Sequence, residues 1–124
     1  MVSFFMTQWE EETIKIKIPA YNIARIEKLS GAFEQGKLYV TTNENSSNES
    51  QRLLCKNLTE RFTDFSNIVI CLFSADSVGN ELAKGNEKKI TLEERKKSWL
   101  AMYTYNSVEG EYFDDNPSSY LGVY

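Results

Sequence analysis

Glu109, Glu111, Asp114 and Asp115 crowd four carboxylates into one short stretch, with Asn116 beside them. Hard oxygen donors of this kind suit Ca2+ or Mg2+. Two carboxylates held ~5–9 Å apart can also divide acid and base roles in glycoside hydrolysis. The spacing lacks the alternate-position ligands and the closing Glu of a calcium loop. Asp114-Asp115-Asn116-Pro117 is also a good turn, because Asp and Asn bond their own backbone and Pro sets the next angle. The cluster therefore reads first as a turn. Its alternative reading is a divalent-metal-binding protein or a carboxylate-based hydrolase.

A second set is aromatic. Trp99, Tyr103 and Tyr105 recur at alternate positions of one apolar run, and Tyr39 lies in another. Tyr and Trp have apolar bodies and a polar tip, so they suit a surface that is wet until a partner arrives, and they are frequent interface anchors. Three readings stay open for this face. The aromatic tail (Tyr112, Phe113, Tyr120, Tyr124) covers it, a second copy covers it, or a foreign protein does. The remaining reactive side chains, Cys55 and Cys71, fall beside Leu54 and Leu58 and in mid-strand, and read as core thiols.

The missing residue types exclude more than the present ones include. Without histidine no Ser-His-Asp or Cys-His pair can form, nor a Cys2His2 zinc site. Two cysteines outside a Cys-x-x-Cys spacing make neither a four-thiolate site nor a local redox motif. No glycine-rich phosphate loop is present, so no cofactor is expected. With 14 Lys+Arg against 18 Asp+Glu the net charge is −4. That argues against nucleic acid, whose affinity rests on clustered basic residues. The run Arg95 to Lys97, flanked by Glu93 and Glu94, reads as a solvated turn or helix start. No stretch approaches the ~20 apolar residues of a membrane span. Met1 to Thr13 has no basic residue ahead of its apolar patch, as a signal peptide would. A cytoplasmic protein is the expectation, and a piece cut from an exported or anchored protein would look the same. The Asn-x-Ser/Thr matches at Asn45, Asn48 and Asn57 are discarded on that ground.

At 124 residues with 41% hydrophobic residues, one domain spanning 1–124 with a self-sufficient core is expected. Glu12 to Ile18 alternates Ile and Lys and predicts an edge strand ended by Pro19. Tyr21 to Leu29 predicts a weaker strand, and Gly36 to Thr42 a firm one. Ser46 and Glu49 match a capping box. The helix they open, about 49–63, stacks Leu54, Leu58, Phe62 and Phe65 on one face and leaves Gln51 wet. Asn67 to Ser74 is apolar on both alternating faces and predicts an interior strand. Ala75 to Lys89 reads as loop. Ser98 to Asn106 predicts a strand, with Trp99, Ala101, Tyr103 and Tyr105 on one side. A helix capped by Thr91 and Glu94 is its rival, so helix or strand is open over 91–103. The tail from Val108 reads as turns with a docked aromatic end.

The economical architecture is α+β, a single antiparallel-rich sheet of four to five strands with one main helix packed on one face. The order Tyr21–Leu29, 36–42, the helix with Leu54 and Leu58, Ile68–Phe73 and Trp99–Asn106 resembles small uncharacterised bacterial strand-strand-helix-strand-strand domains. The resemblance covers about residues 21–106 and implies no activity. One helix shields one side of such a sheet, yet both central runs are apolar on both sides. The expected function is therefore non-enzymatic protein–protein contact, of inhibitor, immunity or accessory type, or a homodimer, through Tyr39, Trp99, Tyr103 and Tyr105. The acidity suits a basic partner, because complementary charge speeds encounter.

Overall fold

The computed structural model describes residues 17–29 and 34–120. Strand β1 (Tyr21–Leu29) pairs antiparallel with β2 (Gln35–Thr42). Helix α1 (Asn48–Arg61) then carries the chain back to the end where β2 began, so β3 (Asn67–Ser74) runs parallel to β2. Two short helices, α2 (Ser77–Lys84) and α3 (Leu92–Ser98), precede β4 (Trp99–Asn106), which pairs antiparallel with β3. A tight turn leads into β5 (Gly110–Asp114), antiparallel to β4, and a 3-10 turn follows at Pro117–Tyr120. The five strands form one mixed, mostly antiparallel sheet in sequence order, an α+β fold.

The two apolar faces of β3 place it at the centre, with a core on each side. On one face Ile68, Ile70 and Leu72 meet Leu38, Val40, Ala101 and Tyr103, and α1 closes them with Leu54, Cys55 and Leu58. On the other, Cys71 and Phe73 meet Tyr39, and Leu82 and Ala83 of α2 close over them, flanked by Ile90, Trp99 and Met102. The two thiols thus lie in separate cores across the sheet, both buried and unpaired. Burial pushes the Cys71 thiol up to about 11 and the Cys55 thiol up as well, which makes both poor nucleophiles at neutral pH.

Several expectations change. The expected loop at 75–89 contains α2, capped by Asp76, whose side chain accepts from Gly79 N at 2.7 Å, and closed by Gly85 in the left-handed region at φ 90°. Residues 91–103 are both helix and strand: α3 ends at Ser98 and β4 begins at Trp99. The premise of a bare second face therefore fails, because α2, with Ile90 and Trp99 beside it, covers Cys71, Phe73 and Tyr39. The capping box forms at Thr91 and Glu94, each accepting from the other's backbone at 3.1 Å. It does not form at Ser46, whose hydroxyl closes a turn onto Asn43 O, so α1 is capped one residue later by Ser47. Gln51 is buried rather than wet, and its amide braces that turn through Ser46.

The tail is more regular than expected, since β5 pairs along β4 and Phe113 packs on the α1-side core, while Tyr112 stays exposed. The Glu12–Ile18 strand lies outside the described residues except for Lys17 and Ile18, which sit in no regular element. Tyr124 also lies outside them.

Candidate functional site

The four aromatic candidates do not share a surface. Between Leu72↔Ala101 and Phe73↔Trp99 the β3–β4 register slips by one, which makes Leu100 the extra residue of a bulge. Ala101, Tyr103 and Tyr105 stay on the α1 side. Trp99 turns to the other face, where its ring stacks on Phe73 with centroids 6.4 Å apart. Tyr39 is also on that second face and 8% exposed. Its hydroxyl donates to Glu27 Oε1 at 3.1 Å, and the Arg25 guanidinium sits 3.8 Å above its ring. Both rings clasp β1 and α2 to the sheet.

Tyr103 is 1% exposed in the α1-side core, and only its hydroxyl reaches a polar edge. It donates to Glu111 Oε2 at 2.7 Å, while Arg52 donates to Oε1 through Nε at 3.1 Å and Nη2 at 2.7 Å. The Tyr103 hydrogen bond, aided by Arg52 against the opposing effect of burial, holds the Glu111 carboxyl below its ordinary value near 4.5. Burial, with Glu111 opposite, pushes the Tyr103 phenol up. A carboxylate whose pKa is lower folded than unfolded stabilises the fold above its unfolded pKa and ceases to as pH falls through the folded one. Urea midpoints measured against pH should therefore show a gap between wild type and Glu111→Gln at neutral pH that closes in acid. A gap constant across pH would contradict this linkage.

The carboxylate cluster is dispersed. Glu111 is engaged by Tyr103 and Arg52, Asp115 accepts from Asn48 Nδ2 at 2.8 Å, and Asp114 accepts from Asn116 N at 2.9 Å. Glu109 is exposed in the β4–β5 turn, where its backbone N–H donates to Asn106 Oδ1 at 2.7 Å. Among the described residues no group of three or more His, Cys, Asp or Glu side chains is placed to hold a metal ion.

What the structure does assemble is a groove of about 540 Å3 at the C-terminal end of α1. Phe62 caps that helix and Phe65 follows it, their rings stacked with centroids 6.4 Å apart. Tyr105, 37% exposed, and the hydroxyl end of Tyr103 form the facing wall from β4, and Glu111 closes it from β5. Lys56, Thr59 and Glu60 of α1 complete the rim. The last carbonyls of a helix carry the negative end of its dipole, and α1 turns that end, with the basic Arg61 in the same last turn, toward this wall. A smaller hollow at the other end of the parallel pair, lined by Asn43, Glu44 and Asp76, lies between helix N-termini already capped by Ser47 and Asp76.

Tyr103 and Tyr105 thus belong to the groove, and Tyr39 and Trp99 do not. No protein-family model, curated protein or solved structure matches this chain. The groove is therefore read from its own chemistry. Sequence reasoning missed Phe62, Phe65 and Glu60 as site residues, because the first two repeat at core spacing and the third at a solvent position. The one available signal was Phe65 lying beyond the end of the helix, where a ring is free to face the next strand. No described helix is long and apolar enough to cross a membrane.

Proposed function

We propose that this chain is a non-enzymatic contact module, of inhibitor or accessory type, that receives a basic segment of a protein partner in the groove between α1 and β4–β5. The observation that carries the reading is the meeting, in one groove, of the exposed Tyr105 ring and the half-buried Phe62 and Phe65 rings with the negative end of a helix. Phe62, Phe65 and Tyr105 supply ring surface on which an alkylammonium or guanidinium group is attracted. Glu60 and the α1 carbonyl end supply the opposite charge. Lys56 on the same rim is the like charge that an incoming cation has to avoid. The net charge of −4 works in the same direction at long range.

The test is an NMR titration with a short lysine- and arginine-rich peptide, with a glutamate-rich peptide of equal length as its counterpart. The basic peptide is expected to move the amide signals of Thr59–Ser66 and Tyr105–Glu111, and to do so less as salt is raised. Absence of those shifts, or equal shifts with the acidic peptide, overturns the reading.

A further inference from the structure

We propose that β1 is a self-pairing edge, on which a second copy of this chain docks its own β1 antiparallel about a two-fold axis through Ile26. β1 lies at one end of the sheet, so one side of its backbone has no strand partner among the described residues. Such an edge is a template for strand addition. Its upper part is irregular, with a register slip between Ile23 and Arg25. From Arg25 to Leu29 the pairing with β2 is continuous, so this stretch is regular and its outer side meets no strand among the described residues.

The choice of a second copy, rather than a foreign strand, comes from the order of the side chains. In an antiparallel pairing with two-fold symmetry, residue i faces j and j faces i. An axis through Ile26 sets Arg25 opposite Glu27 of the second copy, Glu27 opposite its Arg25, and Ile26 opposite Ile26. Arg25 and Glu27 already form an ion pair at 3.3 Å within one chain, with both side chains partly exposed. Pairing would extend it into an alternating set of four charges. Ile26 is 43% exposed on the other face of the same strand, so the axis also covers an apolar side chain. Moving the axis to Glu27 would place like charges face to face. The opposite edge, β5, offers no such match: an axis through Tyr112 sets Glu111 against Phe113 and Asp114 against Gly110. This inference is independent of the groove, which lies on β4–β5.

Sedimentation equilibrium of wild type, Ile26→Lys, Ile26→Glu and an equimolar mixture of the two variants tests it, with far-ultraviolet circular dichroism as the check of folding. The expected result is a wild-type dimer, two folded monomeric variants, and a restored dimer in the mixture, because only a residue on the axis meets its own copy. A monomeric wild type, dimeric single variants, or a mixture that stays monomeric each overturns it. Should a variant fail to fold, the wild-type measurement still decides, since a monomer contradicts the proposal outright.

Discussion

Gly79→Ala should destabilise the fold by about 3 kcal/mol, at the upper end of the usual range for overpacking a tight interior. The direction is opposite to that expected from helix propensity, which favours Ala over Gly by ~1 kcal/mol. Gly79 stands in the first turn of α2, where its backbone N–H is held by the Asp76 cap. A Cβ there would lie 1.7 Å from the carbonyl oxygen of Ser74, the last residue of β3. The obstacle is backbone of the central strand rather than the end of a flexible side chain, so neither partner yields cheaply. The role of this glycine is close approach, since it needs no left-handed backbone. Urea unfolding monitored by circular dichroism reads the change. A variant as stable as wild type would mean that α2 is not seated on β3 as described.

Tyr103→Ala should lower stability by roughly 3–5 kcal/mol, the range for removing a large buried ring. Tyr103 is among the largest fully enclosed side chains of the α1-side core and packs among Leu54, Leu58 and Ile70. Tyr103→Phe separates the ring from the hydroxyl. It should cost only about 0.5–1.5 kcal/mol, the net worth of one hydrogen bond, because Arg52 still engages Glu111 from the other side. Equal losses for the two variants, read from the same urea midpoints, would place the contribution in the hydroxyl and contradict the packing described.

What was legible from the residues was the part governed by periodicity. The two apolar faces of Ile68–Phe73 announce an interior strand, and Leu54 and Leu58 announce the buried face of α1. Less legible were features set by single residues. α2 has eight residues and few apolar positions, yet Asp76 and Gly85 bracket it as N-cap and left-handed C-cap, with Val78 and Leu82 one turn apart between them. That pairing of caps was the available sign. The bulge at Leu100 leaves no mark in composition, and it alone moves Trp99 to the opposite face from Tyr103.

The parallel pairing of β2 with β3 follows from which end of the sheet α1 returns to, a property of the whole chain rather than of either strand. The groove was hidden for the same reason. Its walls come from 56–66 and 103–111, and only the fold brings them together.

The aromatic residues thus divide into ring surface spent on holding the sheet's second layer and ring surface left open at the end of α1. Titrating the lysine- and arginine-rich peptide into Tyr105→Ala and Trp99→Ala side by side, with a thermal melt of each, tests that division most directly. The account predicts that Tyr105→Ala loses peptide affinity about fivefold or more, one such anchor being worth over ~1 kcal/mol, while melting near wild type. It also predicts that Trp99→Ala melts lower and binds as wild type does. Loss of binding in Trp99→Ala with Tyr105→Ala unaffected would contradict it.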